Sequence, residues 1–233
     1  MVAMYCYMKY IETYIMLLGK SVMGRPRHQS TLRFPLSTIL GREVNIRVLR
    51  ELSRHGGQLS LAGLIRRTNV TLPPVAAALQ ELTQLGIVSE AGDGHARLFS
   101  LTDKSPFSEI IRTLYEAEEK RFEAVLDSIR ACALMLGGRV ISAWIYGSVA
   151  RGEDHATSDL DIAFIASEED VGGVHNEGVD LLVVQGEKLN YAPSLNTLSP
   201  SDLERLRDSD DPLWQAFVNE GLMIMGRRPE TII

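Results

Sequence analysis

The stretch that decides the fold is residues 139–166, RVISAWIYGSVARGEDHATSDLDIAFIA. Its first part, Val140–Tyr146, is apolar and contains β-branched residues, which predicts a buried strand. Gly147 and Ser148 follow directly, and a second strand is predicted over residues 160–165. The pattern of strand, glycine-containing turn and strand predicts a sheet with polar side chains gathered at one end.

Three aspartates lie on or beside the predicted strands. Asp159 and Asp161 are two positions apart, so their side chains point to the same face of a strand. Asp180 lies in a run at residues 179–184 that predicts a third strand, and it would complete a three-carboxylate cluster. Close carboxylates repel one another unless a cation neutralises them, and oxygen ligands beside a triphosphate suit Mg²⁺. Two such ions would clamp the attacking and leaving oxygens of an in-line phosphoryl displacement.

Residues between the first two strands are suited to bind phosphate. Gly147 at a strand end lets a phosphate approach the backbone closely, and Ser148 with neighbouring helix N-terminal amides can bind phosphate oxygens. Arg151 fits two roles equally, as a phosphate partner or in a salt bridge to Glu153 or Asp154. The sequence therefore predicts a phosphate site beside the carboxylates.

These motifs resemble a known family. Gly147-Ser148 followed after ten residues by Asp159-x-Asp161 resembles the signature of the DNA polymerase β-like nucleotidyltransferase superfamily. The longer strings GSVARG and SDLD resemble its minimal nucleotidyltransferase branch, and VDLL at residues 179–182 is similar to the strand that carries the third acid of that family. The resemblance covers residues 139–226.

The resemblance implies a mixed sheet flanked by helices and an enzyme that transfers NMP from an NTP, with loss of pyrophosphate. The acceptor would be a hydroxyl of a protein, an RNA or a small molecule. The implied cofactor is Mg²⁺ or Mn²⁺, and Asp180 would also deprotonate the acceptor. The implied catalytic and metal-binding residues are Asp159, Asp161 and Asp180. The implied nucleotide-binding residues, with ATP as the expected substrate, are Gly147, Ser148, Arg151 and Ser158.

Two alternatives to an enzyme stay open at this point. The first is a non-enzymatic transcriptional regulator that uses the nucleotidyltransferase fold to sense NTP, because folds outlive functions. The second is one component of a toxin–antitoxin pair, a role in which minimal nucleotidyltransferases often serve. The expected partner would then be a toxin-like protein.

The front half predicts a different domain. Over residues 41–104 the order is helix, helix, helix and hairpin, with Ser60 as a helix cap and a turn at residues 69–71. The string VAAALQELTQLGIVSEAGDGHARLFSLT, residues 75–102, resembles the recognition helix and wing of the winged helix-turn-helix domain of bacterial transcriptional regulators. That resemblance implies binding to DNA or RNA.

The predicted recognition helix, residues 71–86, contains no Lys or Arg, although basic contacts to phosphate supply most nonspecific affinity. The expected nucleic-acid contacts therefore lie around it, at Arg66, Arg67, Asn69, Thr71 and Arg97. The alternative is a winged helix used for dimerisation or protein docking.

The uneven distribution of charge supports two domains, and the two resemblances together imply an α+β or α/β protein. The chain has 233 residues and a net charge of −6, with +4 in residues 1–40, +2 in residues 41–104 and −12 beyond them. The predicted parts are an N-terminal helix and basic linker (1–40), the winged helix (41–104), a linker helix (105–138) and the nucleotidyltransferase domain (139–233).

Location and assembly are expected from the same composition. Only two cysteines, Cys6 and Cys132, and no stretch able to span a membrane indicate a cytoplasmic protein. The apolar leading segment is either a homodimer-forming helix or an artefact of an upstream start site, because Met8, Met16 and Met23 could each begin the chain.

Overall fold

The computed structural model describes residues 30–92 and 97–233, so most of the predicted N-terminal helix and basic linker lies outside the described residues. The chain divides into two compact units between Thr113 and Leu114. Each unit is described by itself below.

The first unit contains four helices and a three-stranded antiparallel sheet of strand order β1-β3-β2 among its described residues. The helices are α1 (Pro35–Ile39), α2 (Glu43–His55), α3 (Leu61–Thr68) and α4 (Leu72–Gln84). The strands are β1 (Leu59–Ser60), β2 (Val88–Ala91) and β3 (Leu98–Leu101). The predicted three helices and hairpin are confirmed, whereas α1 and the short β1 were not predicted.

Local chemistry explains where these helices begin and end. The Ser60 hydroxyl accepts a hydrogen bond from the Gly63 amide at 3.1 Å and caps α3, as predicted. Asn69 has a left-handed backbone (φ 52°), which its short polar side chain tolerates, and it ends α3. Proline occupies the first turn of α4, where no amide hydrogen is needed. These signals build the tight turn between the two helices.

The second unit is a four-stranded mixed sheet with helices on both faces. Strand order is β6-β5-β4-β7, with β5 and β6 parallel and the other pairs antiparallel. The strands are β4 (Val140–Tyr146), β5 (Leu160–Ala166), β6 (Pro193–Leu198) and β7 (Leu222–Met225). The helices are α5 (Ser108–Met135), which starts before the division, α6 (Gly147–Arg151), α7 (Val171–Leu189), α8 (Pro200–Asp208) and α9 (Pro212–Glu220). A 3₁₀ turn at Pro229–Thr231 follows.

Alternation along the central strands separates two cores. On one face, β5 places Leu160, Ile162 and Phe164 in a core shared with α5 and α7. On the other face, Trp144 and Tyr146 of β4 pack with residues of β5, α8 and α9, and both rings contact Phe217. Asp161 belongs to this second face because side chains alternate along a strand.

The predicted third strand at residues 179–184 is wrong, because those residues lie within helix α7. The buried positions of α7 are Val174, Gly178, Leu182 and Gly186, spaced by four residues as on one helix face. Both glycines are needed for close packing: a Cβ at Gly178 would lie 2.9 Å from Leu195 Cδ2, and one at Gly186 would lie 2.5 Å from the Tyr191 carbonyl oxygen.

The strand beside β5 is instead β6, which follows α7. Asp180 consequently lies on a helix, and its side chain is exposed. The sequence pattern failed here because two of the four buried positions are glycines, which an apolar periodicity does not count.

Within the described residues, no helix is long and apolar enough to cross a membrane.

Candidate functional site

Three side chains meet on one face of the sheet where β4, β5 and β6 lie side by side. Asp161 of β5 is directly opposite Tyr146 of β4 and Ser194 of β6. Directly opposed residues on neighbouring strands project to the same face, so these three side chains form a cross-strand row. Asp159 precedes the strand on the same face and is exposed. The face therefore presents two carboxylates, a phenol and a hydroxyl.

The pKa of Asp161 is raised above its ordinary value. Partial burial of the carboxyl is the main cause, and the negative charge of Asp159 adds to it. A hydrogen bond from the Ser194 hydroxyl and the positive charge of Arg151 act in the opposite direction. The negative charge of Asp161 is therefore energetically unfavourable without a nearby cation. Such a carboxylate is suited to bind a metal ion or another positively charged ligand.

Gly147 lies against Asp161. Its backbone is left-handed (φ 75°), and a Cβ there would fall well inside contact distance of Asp161 Oδ2. Only glycine satisfies both the conformation and the space. Ser148 follows in the short helix α6 and is half-buried. The predicted pair Gly147-Ser148 is therefore placed beside the carboxylates by the end of β4.

Tyr146 is buried and hydrogen-bonded to Asn196 of β6, whose amide nitrogen donates to the phenol oxygen. Burial raises the pKa of Tyr146, and the negative charge of Asp161 raises it further. Asn196 and Ser194 are both on the Asp161 side of β6, two residues apart. The side of this site formed by β6 is therefore neutral.

Arg151 is held by two carboxylates. Its Nε lies 2.7 Å from Glu153 Oε2, and its Nη1 lies 2.7 Å from Glu220 Oε2. The salt bridge to Glu153 was one of the two roles that the sequence left open, and Glu220 was not foreseen. A phosphate role for Arg151 stays a prediction, and it would require these ion pairs to open.

Ser158, the fourth predicted nucleotide ligand, is engaged within its own loop. Its Oγ accepts a hydrogen bond from the His155 amide at 3.0 Å, and its amide donates to the His155 carbonyl. Ser158 lies in the loop before β5 begins, and its hydroxyl is used within that loop. A nucleotide-binding role for Ser158 stays a prediction.

The predicted three-carboxylate cluster is not formed. Across residues 30–92 and 97–233, no group of three or more His, Cys, Asp and Glu side chains is arranged to hold a metal ion. Asp180 is exposed on α7 and does not contribute to the pKa of Asp161, whereas Asp159 does. The position on the neighbouring strand directly opposite Asp161 is Ser194. Two of the three predicted acids, Asp159 and Asp161, therefore lie close together. Ser194 occupies the position on the neighbouring strand where a third acid would face them.

The predicted nucleic-acid residues lie around the N-terminus of α4. Arg66, Asn69 and Thr71 are exposed, and Arg66 has no ion-pair partner among the described residues. Arg67 pairs with Glu51 at 3.7 Å, and Arg97 pairs with Glu90 through both its Nε and its Nη2. The outward face of α4 carries no charge; its exposed residues are Leu72, Pro73, Ala76, Ala77, Gln80 and Gln84.

Comparisons with known proteins identify both units. Residues 134–230 match the family "Polymerase beta, Nucleotidyltransferase", and residues 42–89 match "Winged helix-turn-helix DNA-binding". The chain is therefore a winged helix-turn-helix domain fused to a nucleotidyltransferase-fold domain of the polymerase β family. Both resemblances read from the sequence are confirmed.

Solved structures give weaker likenesses. A crystal structure of NadR in complex with 4-hydroxyphenylacetate is 21% identical, with a TM-score of 0.32, covering 46% of this chain and 85% of that one. A toxin–antitoxin structure with AMP-PNP is 18% identical, with a TM-score of 0.31, covering 46% and 79%. No curated protein matches the chain.

Sequence reasoning missed Ser194, Asn196 and Tyr146. Tyr146 was read only as part of a buried strand, although its position before Gly147 places it directly opposite Asp161. Ser194 and Asn196 alternate with Leu195, but Thr197 ends the alternation, so PSLNTL gives only a weak strand signal. Residues 179–184, which are rich in valine and leucine, give a stronger strand signal than residues 193–198, so the sequence analysis places the third strand there.

Proposed function

We propose that this protein is a nucleotide-responsive nucleic-acid-binding regulator, whose nucleotidyltransferase-fold domain binds a magnesium–NTP complex without transferring NMP. The observation that carries the proposal is Ser194 in the position opposite Asp161. In the resemblance that the sequence offers, a third acid completes the metal cluster and deprotonates the acceptor. A serine hydroxyl is neutral and remains protonated, so it supplies neither function.

The two remaining carboxylates fit a single divalent cation held together with a nucleotide. Mg²⁺ is commonly bound by one or two carboxylates plus substrate phosphates and water. Asp159 and Asp161 repel each other, and Asp161 is partly desolvated, so a cation between them relieves both costs. Gly147 and Ser148 adjoin them and would contact the phosphates. Among the residues that the structure describes, no third acid joins these two carboxylates in a metal-binding group, so a second cation would share the same two acidic ligands.

The winged helix supplies the nucleic-acid side of the proposal. Arg66, which has no ion pair among the described residues, lies next to the exposed Asn69 and Thr71, and these side chains can contact base edges or phosphate at the start of α4. Since most other arginines described around this helix are paired with acids, few phosphates would be neutralised. The expected affinity for nucleic acid is therefore modest and its salt dependence shallow.

Titration calorimetry with ATP in the presence and absence of Mg²⁺ tests the nucleotide part of the proposal on the full chain. We expect saturable binding that requires Mg²⁺, with no pyrophosphate released. Absence of binding with every NTP would refute the regulator and would leave the winged helix as a docking or dimerisation module.

One alternative has a specific observation in its favour. Gly147 lies against Asp161, and the charge of Asp159 acts on the same carboxyl, which supports a role for these residues in the transfer reaction. NMP transfer with Mg²⁺ or Mn²⁺ therefore stands as the second candidate function, and a partner's acid in an assembled complex could supply the missing carboxylate.

We expect Arg66→Ala to weaken nucleic-acid binding more than Arg67→Ala. Arg66 has no ion pair among the described residues, whereas Arg67 is already engaged by Glu51, so only the first loses a cation available to phosphate. Fluorescence anisotropy at several salt concentrations should give a slope of log K against log salt smaller by about 0.9 for Arg66→Ala. Arg228→Ala, an exposed arginine of the other unit, serves as the control and should change nothing. Equal losses for all three variants would contradict this assignment.

A further inference from the structure

A cavity of about 770 Å³ lies within the second unit. It is bounded by helices α5 and α7, by the loop of residues 152–158 and by the first residues of β5 and β6. Its volume falls within the range of about 300–1,000 Å³ that small-molecule sites occupy.

This cavity is separate from the carboxylate face. Ser158 and Leu160 line it, whereas Asp159 and Asp161 alternate with them and point to the other side of β5. The two surfaces therefore share one strand and one loop but no side chain of the carboxylate row.

The wall formed by the helices is largely apolar. Phe122 and Val125 of α5 and Val183 of α7 contribute side chains, and Val149 and Pro193 complete the apolar part. Phe122 and Val183 remain 41% and 43% exposed, which is high for large apolar residues. A ligand with an apolar body would cover them.

Three charged side chains line the cavity, and two of them are negative. Asp154 and Glu187 line it, and neither carboxylate has a hydrogen-bond or ion-pair partner among the described residues. The third is Arg121, which keeps its positive charge and is held at the C-terminal end of α7, where its Nη2 donates to the carbonyls of Leu189 at 3.1 Å and Asn190 at 3.0 Å. The His155 ring nitrogen Nδ1 lies 3.1 Å from Thr157 Oγ1.

We propose that this cavity binds an organic cation with an apolar body, which places an ammonium group between Asp154 and Glu187 and its apolar part against Phe122 and Val183. The carboxylates supply the charge selectivity and the helix wall supplies the burial. The loop of residues 152–158 leads directly into Asp159. A ligand in the cavity would therefore also limit the movement of Asp159. This last consequence rests on the proposed function, whereas binding itself does not.

Phenethylammonium is a suitable probe, with 2-phenylethanol as its uncharged counterpart. In amide chemical-shift titrations of the full chain without nucleotide, we expect saturable shifts in residues 152–158 and around Glu187. The alcohol should bind more weakly. Glu187→Gln and Asp154→Asn should each weaken binding of the cation by about two- to fivefold, as expected for loss of an exposed charge pair.

Glu204→Gln on α8 is the matched control, because it removes an exposed carboxylate away from the cavity and should leave binding unchanged. Val183→Trp, which narrows the cavity from α7, should abolish binding. Equal binding of the cation and the alcohol, or shifts confined to other regions, would overturn the proposal. Binding of phenethylammonium in a protein that fails to bind magnesium–ATP would support the cavity and refute only the proposed function.

Discussion

Asp161→Asn is expected to reduce magnesium-dependent ATP binding by at least about tenfold, or about 1.4 kcal/mol. The substitution keeps the size of the side chain and removes one of the two carboxylate charges, Asp159 and Asp161, that the described residues place together on this face. Two unit charges about 4 Å apart interact by roughly 4 kcal/mol at an effective dielectric constant near 20, so a tenfold loss is a conservative expectation. Titration calorimetry measures it directly.

The same variant should be more stable than the wild type when no ligand is present. The pKa of Asp161 is raised in the folded protein, chiefly by burial. A carboxyl whose pKa is higher in the folded than in the unfolded state makes the protein less stable as pH rises through the interval between the two values. Asp161→Asn removes that cost, so its Tm should exceed that of the wild type near neutral pH and the difference should shrink in acid.

Asp180→Asn is the control for both measurements. Asp180 is exposed on α7, so we expect unchanged ATP binding and unchanged Tm. Loss of ATP binding in Asp180→Asn as large as in Asp161→Asn would restore the three-carboxylate site that the sequence predicts and would contradict the present assignment.

Gly147→Ala should have the second large effect, on both stability and ligand binding. A left-handed backbone costs a residue with a Cβ about 1–2 kcal/mol. At Gly147 the new methyl group would also collide with Asp161 Oδ2, so either the carboxylate or the turn must move. We expect a lower Tm and loss of magnesium–ATP binding, measured by thermal unfolding and calorimetry.

Gly152→Ala is the control that separates the effect of backbone strain from the effect of the contact with Asp161. Gly152 has a similar left-handed backbone (φ 68°), but a Cβ there would have no atom within 4 Å. It should lose stability through strain alone and keep its affinity for magnesium–ATP. Similar nucleotide affinities for the two variants would show that the contact between Gly147 and Asp161 does not shape the site.

Sequence patterns predicted most of the fold because the main signals are local. Val140–Tyr146 has the bounds of β4, and the Gly137-Gly138 pair, with φ of 70° and 80°, follows the end of α5, where glycine is favoured. Ser199 caps α8 through an equally local contact, since its hydroxyl accepts a hydrogen bond from the Asp202 amide at 3.1 Å. These features depend on neighbours within a few residues.

The candidate site was predicted less completely because its last member depends on strand pairing. Asp159 and Asp161 could be placed on one face from their spacing alone. Which residue faces Asp161 from the next strand depends on the register between β5 and β6. Gly178 and Gly186 let α7 pack closely on β6 and on the turn before it, which is a contact between distant parts of the chain. A local sequence pattern does not encode such long-range packing. The sequence analysis therefore assigns the position facing Asp161 to Asp180, whereas the structure places Ser194 there.

The central claim is that a serine in place of a third acid leaves a site that binds nucleotide without chemistry. Its most direct test is release of pyrophosphate from labelled ATP with Mg²⁺ or Mn²⁺, in the presence of nucleic acid and protein acceptors. Ser194→Asp installs a carboxylate opposite Asp161, and Thr197→Asp adds the same charge to the other face of β6. We expect no release by the wild type or by Thr197→Asp, and release by Ser194→Asp. Metal-dependent release by the wild type that Asp161→Asn abolishes would contradict the account and establish a transferase.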